Sequence, residues 1–105
     1  MRTVIANAFS VNMLKSNALL SFLQADLGTV KTLAQDGVHS IIGHQSTADL
    51  LSAKLGIDIK LNRENYKKEK DDSIIVCLPS KRLDEGKVLT VEELKQFDVK
   101  FWIIK

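Results

Sequence analysis

Five apolar residues in a row, Ile74-Ile75-Val76-Cys77-Leu78, followed at once by Pro79, set the first limit on the fold of this chain. A short run rich in β-branched side chains predicts a strand from Ser73 to Leu78 in the centre of a sheet, and Pro79, with no N–H to donate, ends its ladder. A second run of the same kind, Thr3-Val4-Ile5-Ala6-Asn7-Ala8-Phe9, predicts a buried first strand that gives way to a polar turn at Ser10, Val11 and Asn12. A Ser10 hydroxyl suits the cap of a short turn over Val11 to Lys15, because it accepts from backbone N–H groups that otherwise lack partners. The same N–H groups are able to face a phosphate.

The remaining elements follow from spacing. A strand is expected at Leu20-Ser21-Phe22-Leu23 and a helix from about Gly28 to Gln35, with Asp36-Gly37 as a turn. Val38 to Ile42 reads as a short extended run that stops at Gly43-His44. Ser46-x-x-Asp49 resembles a capping box, Ala48, Leu51 and Leu55 share one helical face, and Gly56 fits the left-handed residue that closes a helix. Strict alternation of Ile57, Ile59 and Leu61 with Asp58, Lys60 and Asn62 predicts a half-buried strand. Lys67 to Asp72 reads as a solvated hairpin tip. Thr90-x-x-Glu93 starts a last helix with Val91, Leu94 and Phe97 inward, and Val99 to Ile103 closes as a strand. The expected fold is α/β, a mixed, mainly five-stranded sheet with about three helices packed on it.

At 105 residues, 45% of them apolar, one domain over residues 1–105 is expected, and a core of this size leaves apolar area that a homodimer would cover. Fifteen basic residues against 13 acidic ones, interspersed, give a net charge of +2, which does not supply the concentrated field of a duplex DNA binder. Apolar stretches fall short of the ~20 residues of a membrane span, and the N-terminal residues lack signal-peptide zones. Cys77 is the one cysteine, so it has no disulfide partner in the chain and reads as a small buried thiol. A cytoplasmic protein is expected.

Two histidines and one cysteine do not make a zinc site, and no metal or cofactor is expected. His39 lies among apolar neighbours and reads as a structural imidazole. His44 follows Gly43 and precedes a helix, whose N-terminal N–H groups favour an anion nearby; a plain turn histidine is the alternative. Only Arg2, Arg63 and Arg82 among the basic residues carry the rigid guanidinium fork. Arg82 sits in Ser80-Lys81-Arg82-Leu83-Asp84-Glu85-Gly86-Lys87, between a central strand and a helix, where loops commonly carry function; an Arg–Glu surface pair is the alternative. Arg63, after Asn62, reads as a supporting residue.

Taken in chain order, Asn7-Ala8-Phe9-Ser10-Val11-Asn12-Met13-Leu14, Ile42-Gly43-His44-Gln45-Ser46-Thr47, Asn62-Arg63 and Arg82-Leu83-Asp84-Glu85-Gly86-Lys87-Val88-Leu89 resemble the viral type III anti-CRISPR ring nuclease family. The blocks span nearly the whole chain. The resemblance implies metal-independent cleavage of cyclic tetra-adenylate by a homodimer, with the ring across the two-fold axis. It implies catalytic roles for His44, Arg82 and Glu85, and ligand contacts from Asn7, Ser10, Val11, Asn12 and Arg63. In such a reaction His44 would be the general acid and Arg82 would stabilise the phosphoryl charge, while Glu85 would either hold the imidazole or help to deprotonate the 2′-hydroxyl. A sponge or sensor that binds a cyclic nucleotide without cutting it is the alternative from the same fold. A purely structural dimer is the third reading. The chain departs from the usual pattern at Gln45, where the family more often has an acidic residue.

Overall fold

The computed structural model describes residues 2–81 and 89–105. Five strands form one sheet in the order β2-β5-β4-β1-β3: β1 is Thr3–Ala6, β2 Phe22–Ala25, β3 His39–Ser40, β4 Ser73–Pro79 and β5 Val99–Ile104. The strand β1 runs parallel to both β3 and β4, with Val4 opposite His39 and Ile74. On the far side β5 runs antiparallel to β4 and to β2. Three α-helices accompany the sheet among the described residues: α1 is Leu27–Ala34, α2 Gln45–Leu55 and α3 Val91–Gln96. The mixed five-stranded α/β architecture is the one the sequence predicts.

Cover on both faces explains the apolar run of β4 from Ile74 to Cys77, while Leu78 at its end is exposed. Ile75 and Cys77 join Ile5, Val30, Ile42, Ala48, Leu51, Leu55 and Phe101 in one core, to which α1 and α2 contribute. Ile74 and Val76 point the other way, into a second core with Val4, Ala6, Ile41, Tyr66 and Ile104, flanked by Phe9, Met13, Leu20 and Trp102. With the period of two in a strand, a segment buried on both sides has no position left for a polar residue.

Several boundaries move, each for a physical reason. The first strand ends at Ala6 instead of Phe9, because the Asn7 side chain takes up the Gly43 amide and Phe9 turns to meet Phe22 edge-on, ring centroids 5.8 Å apart. The strand expected at Leu20–Leu23 lies at Phe22–Ala25; its ladder to β5 is prolonged by reciprocal Ser21–Lys105 bonds of 3.1 Å. Ile57 to Asn62 is not a strand. Only a single parallel bridge, Leu61 to Ile42, forms there, because the Ser52 hydroxyl takes the Ile59 N–H at 2.9 Å and so holds this stretch against α2. Ile59 is buried while Leu61 is 43% exposed, so the alternation does not mark a buried face. In α3 the Thr90–Glu93 capping box forms as expected, but Val91 is 59% exposed and does not face inward.

The charged segment Lys67 to Asp72 is no hairpin tip. It runs beside the Ser10 turn, with Lys68 N–H donating to Met13 O at 2.6 Å and Lys15 paired to Glu69 at 2.5 Å. Asp72 is buried at its end and accepts from Arg2, from the Tyr66 hydroxyl and from the Glu69 amide. Burial alone would raise the Asp72 carboxyl; the Arg2 guanidinium, the Tyr66 hydroxyl and the Glu69 amide outweigh it and hold the group at about 2.

Candidate functional site

The site grows from the end of β1. Ser10 is extended, with φ −137 and ψ 146, and its Oγ accepts from Asn12 N–H at 3.2 Å, capping a one-turn 3₁₀ helix over Val11–Met13. This is the predicted cap on a shorter turn than the one expected. The turn leaves Val11 76% exposed, so nothing in the described residues covers it.

The second component is the entry to α2. The helix begins at Gln45 with His44 as its N-cap, two residues before the expected Ser46, because the His44 carbonyl accepts from Ala48 N–H at 3.1 Å. The His44 side chain does not cap the helix, and Ser46 falls inside the first turn instead of forming a capping box. Gln45 donates from Nε2 to Asp49 Oδ1 at 2.8 Å, one turn further on. An acid at position 45 would meet Asp49 with like charge, which gives the glutamine a local reason. Gly56, with φ 71, ends the helix in the predicted left-handed conformation.

Arg63 and Asn7 meet at Gly43. Arg63 Nε donates to the Gly43 carbonyl at 2.7 Å, and the Gly43 N–H donates to Asn7 Oδ1 at 3.3 Å. The neighbouring residues of the 62–64 stretch tie it to the sheet edge: Asn62 Nδ2 donates to the Ser40 carbonyl and to Glu64 Oε1, both at 2.8 Å, and Glu64 Oε1 lies 2.5 Å from His39 Nε2. His39 is thereby a satisfied, partly buried imidazole, as expected.

Of the predicted residues, Asn7, His44 and Arg63 are thus gathered around one glycine, and Ser10, Val11 and Asn12 follow Asn7 in the chain. Arg82 and Glu85 lie outside the described residues. One cation goes unnoticed in the sequence: Lys67 donates its ammonium to the Asn12 carbonyl. No local pattern signals it, since Lys67 stands in a charged run and its partner is 55 positions away. Among the described residues no group of three or more His, Cys, Asp or Glu could hold a metal ion, and no helix there is long and apolar enough to cross a membrane.

Comparison with known proteins places these features in context. A family model described as STIV B116-like matches residues 3–102. Protein 26 of Sulfolobus islandicus filamentous virus is 34% identical over 67 residues, 63% of this chain and 57% of that relative, so the match spans little more than half of its length. ORF116 of Acidianus filamentous virus 1 is 32% identical over 101 residues, covering 93% of this chain and 87% of the relative. The solved structure of B116 of Sulfolobus turreted icosahedral virus superposes with a TM-score of 0.82 at 29% identity, over 99% of this chain and 98% of that one.

Proposed function

The chain belongs to the STIV B116-like family, and from that premise we propose that it is a metal-independent ring nuclease that cleaves cyclic tetra-adenylate and so switches off type III CRISPR signalling. The observation that carries this reading is the convergence of Asn7 and Arg63 on Gly43, directly before His44. Three of the four sequence blocks that resemble ring nucleases are thereby in contact, at the positive end of an 11-residue helix.

In the proposed reaction a ribose 2′-oxygen attacks the adjacent phosphorus and the bond to the 5′-oxygen breaks. His44 gives its proton to the departing 5′-oxygen as general acid. Arg82 offers paired N–H donors to the phosphoryl oxygens as charge builds on them. The 2′-hydroxyl proton leaves to Glu85 or to water. The products are linear di-adenylates ending in a 2′,3′-cyclic phosphate. The exposed turn at Ser10, Val11 and Asn12, with Asn7 and Arg63, supplies the ligand contacts. Residues 1–105 act as one domain in a homodimer, whose two-fold axis matches the symmetry of the four-phosphate ring and gives two equal halves. The place of action in this reading is the cytoplasm.

Single-turnover incubation of labelled cyclic tetra-adenylate with wild type and with His44→Ala, in EDTA, tests the reading. Wild type is expected to form the di-adenylates and the variant to bind the ring but cut it roughly 10²–10⁴-fold more slowly. An intact ring that stays bound to wild type would make the protein a sponge or sensor, and an unbound ring would end the proposal altogether.

A further inference from the structure

Gly43 stands just past the sheet, since the last bridge on that edge joins Ile42 to Leu61. A glycine there has the widest backbone freedom of any residue and no ladder to hold it. In this protein the Ile42 and Gly43 backbone groups and the His44 carbonyl are nonetheless taken. Ile42 donates to Ser40 Oγ at 3.2 Å and accepts from Asn62 N–H at 2.9 Å. Gly43 is bound on its N–H by Asn7 and on its carbonyl by Arg63, and the His44 carbonyl is bound by the helix at Ala48. Steric fit does not explain the arrangement, because among the described residues a Cβ at Gly43 would meet only Arg63 Cγ, at an ordinary 3.9 Å.

We propose that Asn7 and Arg63 are positioning residues that fix the backbone of Gly43 and thereby the attachment point of the His44 imidazole. This rests on the reading of His44 as the general acid. A proton donor displaced by about 1 Å loses on the order of 10²-fold in rate, so a freely pivoting glycine next to it would be costly. Each clamp spends one polar atom on Gly43. Asn7 Nδ2 and the two Arg63 Nη groups make no hydrogen bond among the described residues, which leaves them as donors for the anionic ring. The two residues therefore act twice, on the acid through Gly43 and on the ligand directly, and the two actions have different kinetic signatures.

Two substitutions at Arg63 separate them. Gln carries a donor nitrogen at the same bond distance from Cα as Arg Nε, so Arg63→Gln keeps the bond to Gly43 and loses the charged fork. Arg63→Met loses both. With cyclic tetra-adenylate as substrate, Arg63→Met is expected to lower kcat by about tenfold or more and to raise KM. Arg63→Gln is expected to restore kcat to within about threefold of wild type while KM stays raised. The His44 imidazole resonances, read by NMR without ligand, are expected to move in Arg63→Met and in Asn7→Ala and to match wild type in Arg63→Gln. Equal kcat losses in the Gln and Met variants, or His44 resonances unmoved in both Arg63→Met and Asn7→Ala, would overturn the proposal. If wild type does not cut the ring, the nuclease reading fails by itself, and the resonances still decide whether the clamp sets His44.

Discussion

Arg2 and Asp72 stand 70 positions apart in the chain and 2.9 Å apart in the fold, with the guanidinium 5.6 Å from the centre of the Tyr66 ring and the Tyr66 hydroxyl on the same carboxylate. This cluster ties the start of β1 to the segment that leads from Arg63 to β4. Among the described residues no buried side-chain nitrogen or oxygen lacks a hydrogen-bond partner. Asp72 is the shared acceptor of the cluster, and removing its carboxylate leaves the buried Tyr66 hydroxyl without that partner.

Replacing Asp72 by Asn is expected to lower unfolding free energy by about 2 to 4 kcal/mol at neutral pH, measured by urea denaturation. The pH dependence has a definite sign. The folded carboxyl sits at about 2, below its ordinary 3.8, so its contribution of about 2 kcal/mol is whole above the ordinary value and fades as pH falls from there towards 2. The gap between wild type and the variant should narrow across that window. A gap that stayed constant down to pH ~2 would mean that the carboxylate charge is not what stabilises the cluster.

Gly56 and Gly43 predict opposite outcomes for the same substitution. At Gly56, φ is 71 and a Cβ has nothing within 4 Å among the described residues, so Gly56→Ala is expected to cost about 1 kcal/mol through backbone strain. Gly43 does not have a positive φ, so Gly43→Ala is expected to change stability by less than about 0.5 kcal/mol. Thermal unfolding of the two variants compares them directly, and equal losses would contradict this account.

Lys67 adds a positive charge beside the turn assigned to ligand contact. In a His44→Ala background, in which cutting is slowed enough for binding to be read, Lys67→Ala is expected to raise the Kd for cyclic tetra-adenylate about fivefold, corresponding to ~1 kcal/mol. The dependence of binding on salt should weaken as one phosphate contact is lost. Lys31→Ala, on the exposed side of α1, is the matched control. Identical affinities for the two variants would remove Lys67 from the site.

Cys77 is fully buried in β4, and burial pushes its thiol well above the usual range. Reaction with Ellman's reagent is expected to be slow in the native protein, limited by opening of the core, and fast in guanidinium chloride. A rapid native reaction would show that the β4–β5 region opens without global unfolding.

What the sequence by itself determined are features whose hydrogen bonds or packing close within a few residues, or whose pattern admits one environment. The Thr90–Glu93 capping box, the Ser10 cap and the Gly56 helix end are complete within three or four positions. The β4 run reads as a central strand, and its residues Ile74 to Cys77 are covered on both faces while Leu78 is exposed. Tertiary structure decided the rest, because the competing partners are distant in the chain. Ser52 draws Ile59 away from a ladder, the Met13 carbonyl takes Lys68, and Arg2 and Tyr66 make a buried site for Asp72, where the sequence reads a strand and a solvated tip. The candidate site divides the same way. His44 is legible as a histidine ahead of a helix, and its place as N-cap is set locally by the bond from Ala48, but the hold on Gly43 depends on Asn7 and Arg63, 36 and 20 positions away from that glycine. Local patterns record the bonds a segment makes with itself; only the folded chain brings together the distant groups that satisfy what is left over.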